Sequence, residues 1–376
     1  MKRLGTQTIK LENPVSIIDT ASIVGKKEGE GPLASYFDYI LEDEYWGEKS
    51  FEKTESKILY ETINKVLQKS KKTSSDINYI LAGDLLNQCI SSAYAIRDTN
   101  IPFLGLYGAC STMVESLSLG AILIDGGFAN NVIAVTSSHF CTAERQFRFP
   151  LELGSQRPQT SQWTVTGSGA SVLSNDGSGP KITTITTGKI IDMGIKDANN
   201  MGAAMAGAAT DTIFTHFNET CRNIDYYDLI VTGDLGHIGS NLTNNMLNKI
   251  GVNIEQKFTD CGILIFDKEK QDTHAGGSGC GCCASVFSGY LYKKLKEREI
   301  NKLLLIATGA LMSTTIVQQG ESIPGIAHAI SIENLWGKIL ELQNIKNMSE
   351  LLAKFLSFLQ NSFCRSKKLN VFLSDD

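Results

Sequence analysis

The chain has 376 residues, 42% of them hydrophobic and 20% charged, a balance that fits a globular body and excludes a fibre or wholesale disorder. Its 35 basic and 40 acidic residues leave a formal charge of -5, and no long Lys/Arg stripe marks a nucleic-acid footprint, so no nucleic acid is expected as a partner. No apolar run reaches the roughly 18 to 20 residues that span a bilayer, and Met1 to Asn13 lacks the apolar stretch of a signal peptide, which places synthesis in the cytosol.

From the N-terminus, β-branched apolar segments alternate with amphipathic ones. Pro14 to Val24 reads as a strand, Glu52 to Ser70 as a helix, and Ile77 to Ala82, Phe103 to Leu106 and Asn131 to Thr136 as strands. This order predicts an α/β fold with buried parallel or mixed sheets. The second half then repeats the first. Asn78 to Leu85 and Asp228 to Leu235 are apolar strands that both end in Gly-Asp-Leu, and Gly108-Ala-Cys-Ser111 returns as the Gly/Cys turn Gly279 to Ser285. A helix to about Arg298 and a strand from Lys302 to Thr308 follow that second turn. The spacing between copies grows from 150 residues to about 170, so a loop is inserted between matching elements. Two halves follow, residues 1–175 and 176–338. Past Trp336 the pattern Ile345, Met348, Leu351, Leu352, Phe355, Leu356, Leu359, Phe363 predicts a helix within an extension over 339–376; it suits a core or docking helix, a partner-binding helix or a membrane-surface helix.

Cys110 is the sharpest candidate for chemistry. It follows the apolar segment Ile101 to Tyr107 and opens a helical pattern through Met113, Leu117, Ala121 and Ile124, where the helix dipole favours a thiolate nucleophile. The same spacing also fits a small buried thiol at a tight junction. A nucleophile of this kind needs a base or an oxyanion partner, and His139, His237 and His274 lie in Gly/Ser-rich surroundings where one could come from. Nine cysteines, an odd number crowded at Cys280, Cys282 and Cys283, read as reduced thiols, and without a second ligand pair they predict no metal site. Gly167-Ser-Gly169 and Gly276 to Gly281 are weak phosphate-loop candidates. Between Ser137 and Gly169, Arg145, Arg148 and Arg157 mix with Phe147, Phe149 and Trp163. That mixture suits a planar aromatic carboxylate, through guanidinium forks and ring faces, and equally a structural or dimer-forming loop.

A duplicated α/β body with a cysteine at the first strand-to-helix junction and a Gly-rich loop at the matching place resembles the thiolase and ketoacyl synthase superfamily over roughly residues 1–338. Within it, Gly105 to Met113, Ser137 to Pro150, Gln156-Arg-Pro-Gln-Thr160 and His274-Ala-Gly-Gly-Ser-Gly-Cys-Gly281 resemble the stage V sporulation protein AD family. The resemblance implies a five-layered αβαβα thiolase fold, a homodimer, and binding of dipicolinic acid or its calcium chelate. It also implies work with other proteins of the same spore system at the forespore or spore inner membrane. Cys110 matches the thiolase nucleophile and His274 resembles the histidine of the Gly-His-Pro loop, with Thr273 and Ala275 as its neighbours instead. Where the thiolase second cysteine is expected the chain reads Ala307 to Ser313, so the resemblance implies a non-catalytic protein, acyl transfer by Cys110 being the alternative. The implied ligand-binding set is Cys110, His139, Arg145, Arg148, His274 and Cys280, with Cys110, His274 and His237 as vestigial catalytic positions; no cofactor or metal is implied. The stretch from about Gln343 is longer than the family's usual end.

Overall fold

A computed structural model describes residues 2–147 and 157–335; the helical pattern of the C-terminal extension, Phe149 and Arg148 lie outside them. The first half runs β1 (Thr8–Val24), α1 (Phe51–Ser70), β2 (Tyr79–Gly83), β3 (Phe103–Gly105), α2 (Thr112–Asp125), β4 (Asn131–Ser138), α3 (Phe140–Phe147) and β5 (Gly167–Ser174). The second runs β6 (Lys181–Thr186), α4 (Met201–Thr220), β7 (Leu229–Thr232), α5 (Gly236–Lys249), β8 (Phe258–Asp260), α6 (Cys280–Val286), β9 (Lys302–Ala310) and β10 (Gly325–Glu333).

The strands follow the path β8-β7-β9-β10-β6-β1-β5-β4-β2-β3. Outward from β1 the pairings are antiparallel, antiparallel, parallel and parallel, and outward from β6 they are the same. The two runs meet where β1 pairs antiparallel with β6. One long strand serves both: Thr8 to Ser16 pair with β6 and Ser16 to Val24 with β5, with register shifts on either side of Val15 to Ile17.

The repeat extends to helix ends. α1 and α4 both have 20 residues; Ser50 and Asn200 cap their N-termini by accepting the N–H groups of Lys53 and Ala203. Both stop at a left-handed residue, Lys71 at φ 56° and Cys221 at φ 53°. On α1 the buried Ile58, Leu59, Thr62, Ile63, Val66 and Leu67 recur at helical spacing, which gives the helix one apolar face to lay on a sheet.

Three apolar layers result. One holds α1 residues against β2, β4 and β5, and another holds α4 residues against β7, β9 and β10. The central one brings Met113, Val114 and Leu117 of α2 and Cys282, Cys283 and Val286 of α6 between residues of both runs of strands, including Val132, Leu173, Val231 and Leu303. This is the αβαβα arrangement, and it explains why both central helices are rich in small or wholly buried residues. Gly167-Ser-Gly169, read from sequence as a phosphate cradle, is instead the buried start of β5. A Cβ at Gly169 would overlap the backbone carbonyl of Ala284, so glycine here lets α6 lie close on the sheet. Among the described residues no helix is long and apolar enough to cross a membrane.

Gly169→Ala is therefore expected to lower unfolding free energy by roughly 1–3 kcal/mol. Urea denaturation would check this, and an unchanged midpoint would mean that α6 can move away from β5 at no cost.

Candidate functional site

The two Gly-Asp-Leu endings place two fully buried aspartates after β2 and β7. Asp84 accepts hydrogen bonds from the Ser92 N–H (2.8 Å), the Ser92 hydroxyl (2.7 Å) and the Leu86 N–H (2.9 Å). Asp234 accepts from the hydroxyls of Thr308 (2.7 Å) and Ser278 (2.9 Å) and from the Gly279 N–H (3.1 Å). The repeated motif is thus a pair of internal clamps, and Asp234 ties the end of β7 to β9 and to the loop that enters α6.

Cys110 sits above that clamp, in one tight turn, Ala109–Ser111, ahead of α2. Ala109 is left-handed at φ 51°, and the turn is held by hydrogen bonds from the Ser111 hydroxyl to Gly108 O and from the Thr112 hydroxyl to Ala109 O, both 2.6 Å. Cys110 Sγ lies 3.9 Å from Ser278 Oγ. Cys280, its repeat-related neighbour at the head of α6, donates to Ala109 O at 3.0 Å. The helix terminus by itself favours a thiolate, yet here the Cys110 thiol is pushed well above the ordinary cysteine range, by burial first and then by Asp234 and Cys280. Of the two readings of Cys110, this environment fits the small buried thiol at a tight junction, with the Asp234 carboxyl group behind Ser278.

A cavity of about 300 Å³ opens over Cys110. Its wall combines Leu85, Ala143 and Phe147 of the first half with Met201, Met205 and Met312 of the second, while Tyr107, Glu144, Gln162, Thr164, Ser278 and Ser313 supply polar groups.

None of the three candidate histidines is among the described residues that line it. His139 is fully buried at the end of β4, with Nε2 3.0 Å from Glu44 O and Nδ1 accepting the Cys141 N–H at 3.1 Å; burial pushes its pKa down to about 4. Its neighbours Glu44 and Cys141, which the sequence did not bring together with it, offer ligand atoms within 4.8 Å, but both ring nitrogens are already engaged. His237 is half-buried in the first turn of α5, where its backbone N–H donates to Ala275 O at 2.8 Å. His274, left-handed at φ 50°, places Nε2 2.7 Å from Asp272 and Nδ1 2.9 Å from Pro158 O, which pins its loop.

The arginine segment is also differently employed. Arg145 pairs with Glu52 at 2.6 Å and its guanidinium lies 5.7 Å from the Phe51 ring, outside the cavity wall. Arg157 and Lys27 lie over the Trp163 ring, 4.7 and 3.8 Å from its centre, and Phe140 stacks on Trp163 at 3.7 Å. The guanidinium–ring chemistry is present, but with the protein's own indole. Of the implied binding set, the structure brings Cys110 and Cys280 together in one cluster with Leu85 and Ala143. Gln162 and the methionine wall went unread, since no motif marks them; Ser278 lay inside the quoted loop His274 to Gly281 and Asp234 inside the second Gly-Asp-Leu, without a role read for either.

The stage V sporulation protein AD family model matches residues 5–333. Stage V sporulation protein AD of Bacillus subtilis (strain 168) is 45% identical over 337 residues, which cover 90% of this chain and 99% of that protein. Among solved structures the chain is similar to 3-oxoacyl-acyl-carrier-protein synthase III from Aquifex aeolicus VF5, with a TM-score of 0.53, 11% identity, and coverage of 85% of this chain and 99% of that one. It is also similar to acetamide-bound OleA of Xanthomonas campestris, with a TM-score of 0.54, 12% identity, and coverage of 86% and 100%. These two likenesses carry the fold, which is the thiolase fold.

A buried Cys110 whose thiol is pushed up by its surroundings should alkylate slowly. With iodoacetamide near neutral pH, the exposed Cys221 is expected to label first and Cys110 at least about tenfold later. Peptide mass spectrometry would check the order, and early labelling of Cys110 would show that its thiolate is accessible after all.

Proposed function

The chain belongs to the stage V sporulation protein AD family, and from that premise we propose that it is a non-catalytic thiolase-fold protein that binds dipicolinic acid, or its calcium chelate, in the cavity over Cys110. In this reading it supports uptake of that ligand into the developing spore, acting with other proteins of the same spore system at the forespore or spore inner membrane.

The observation that carries the reading is a kept cysteine beside a kept cavity, without a described imidazole to serve either. Acyl transfer needs a thiolate and a proton shuttle. Cys110 has instead Ser278 and, behind it, the Asp234 carboxylate, which resists thiolate formation. What remains is a binding pocket: apolar walls for a ring, a polar floor, and about 300 Å³, near the lower end for small-molecule sites and adequate for one six-membered ring with two carboxyl groups. The proposed site is therefore the Cys110 cavity, with Cys110 and Ser278 in its lining, and Arg145 plays no direct part.

Acyl transfer by Cys110 is the second reading, favoured by the position of the cysteine at a helix head. Incubation with an acyl thioester separates the two, since only an enzyme would gain an acyl mass on Cys110.

The homodimer is proposed on the surface of the first half. β3 is the end strand of the sheet path, and Leu104 on it, 45% exposed, leaves apolar area there. An uncovered edge strand with such side chains needs a partner strand.

Calorimetric titration of the purified chain with dipicolinic acid, with and without calcium, is expected to give saturable binding, and titration with benzoate none. Ala310→Trp, which places an indole in the cavity, should weaken it at least about tenfold, and Arg145→Ala should leave it unchanged. Full binding by Ala310→Trp would move the site elsewhere. For the dimer, Leu104→Arg should halve the mass measured by light scattering; a wild-type chain that is already monomeric would remove that proposal.

A further inference from the structure

Two first-half segments close on the cysteines of the cavity. Leu85, Cys110, Ala143 and Cys280 form one apolar cluster with Phe147 packed against it, so Leu85 of the segment after β2 meets Ala143 and Phe147 of α3 there. One side chain joins the two segments. Gln146 of α3 donates from its amide nitrogen to Leu85 O at 2.8 Å, and its amide oxygen accepts the Asn87 N–H at 3.1 Å. The Tyr107 hydroxyl donates to the same Leu85 carbonyl at 3.2 Å. Gln146 is half-buried and Asn87 exposed, so water can replace both bonds of Gln146 and the net cost of breaking them is small.

The segment that Gln146 holds is strained. Gln88 (φ 62°, ψ 23°) and Cys89 (φ 50°, ψ 48°) are consecutive left-handed residues, and neither is glycine. Such a turn persists only where its surroundings over-determine it. From inside, the buried Asp84 accepts the N–H groups of Leu86 and Ser92, on either side of the pair, and the Cys89 thiol donates to Leu106 O at 3.1 Å. From outside, Gln146 takes the Asn87 N–H. The inner contacts are shielded and the outer one meets solvent, so the outer one is the weakest of the set. A strained turn beside a cavity, tied to the opposite segment by one solvent-facing side chain, relaxes when that tie breaks.

We propose that the turn over residues 85–89 and the end of α3 are the two leaves of a gate over Cys110 and Cys280, latched by Gln146 and pressed toward opening by the strained pair Gln88 and Cys89. Opening parts Leu85 from Ala143 and Phe147 and deepens the cavity as far as Cys280, which is fully buried in the closed form. The gate belongs to the cavity whatever enters it. Where the inference rests on the reading of the cavity as the dipicolinic acid site, the gate sets how fast that ligand enters and leaves.

The test follows cysteine alkylation in the full chain by peptide mass spectrometry, with iodoacetamide at mildly alkaline pH. Gln146→Met keeps the length of the side chain and removes both hydrogen bonds, and it is expected to speed labelling of Cys110 and Cys280 at least about threefold. Gln88→Gly takes the strain out of the closed turn and is expected to slow both by about the same factor. Cys261 and Cys283 are also fully buried but lie outside this cluster, so they report loosening of the whole molecule, and their rates should stay at the wild-type value in both variants. Unchanged labelling of Cys110 and Cys280 in either variant would overturn the gate, and so would Cys261 and Cys283 rising in step with them. Because no dipicolinic acid is present, failure of the gate leaves the binding site standing, and a chain that fails to bind dipicolinic acid in calorimetry leaves the gate standing.

Discussion

The buried Asp234 carboxylate organises the centre of the molecule. Its three donors come from β9 and from the loop entering α6, while the aspartate itself ends β7. An internal carboxylate is stable only if its oxygens are satisfied, so the donors are not interchangeable and the three segments are held in one arrangement. That arrangement places Ser278 beside Cys110 and gives Gln162 a carbonyl of Asp234 to donate to. The cavity floor is a consequence of how one buried carboxyl group is satisfied inside the protein.

The same carboxylate decides the chemistry of Cys110. A helix terminus favours a charge of the right sign by about 0.3–1 kcal/mol, and up to about 2 in partly buried sites. Burial first, and then Asp234 and Cys280, push the Cys110 thiol up, against the pull of the helix terminus. The proximity of a cysteine to a helix start was visible in sequence; the opposing charge was 124 residues away along the chain, between Cys110 and Asp234.

The histidines and arginines teach the same lesson from the other side. His139 lies next to the cavity helix α3 in sequence, yet its ring is committed to Glu44 and to the Cys141 N–H. His274 belongs to the segment by which the second half exceeds the first, between the second Gly-Asp-Leu and the Gly/Cys turn, and it spends its ring on Pro158 and Asp272. Arg145 and Arg157 have local partners, Glu52 and Trp163. Residue type alone marks a side chain as capable of chemistry, but the nearest partner determines what it does.

Periodicity, turn residues and the recurrence of Gly-Asp-Leu by themselves determined the α/β class, the repeated halves and the positions of α1, β4 and β9, because these depend on side-chain spacing within a few residues. The long motifs around Cys110, His139 and His274 likewise carried the family. The tertiary structure alone decided that β1 serves both runs of strands, that Met201, Met205 and Met312 close a wall over a first-half cysteine, and that Gln162 of that cavity donates to the backbone carbonyls of Asp234 and Gly277. Each of these is a meeting of groups far apart in the chain, and local pattern holds no record of such distances; only the packing of the two halves against shared helices brings them within reach.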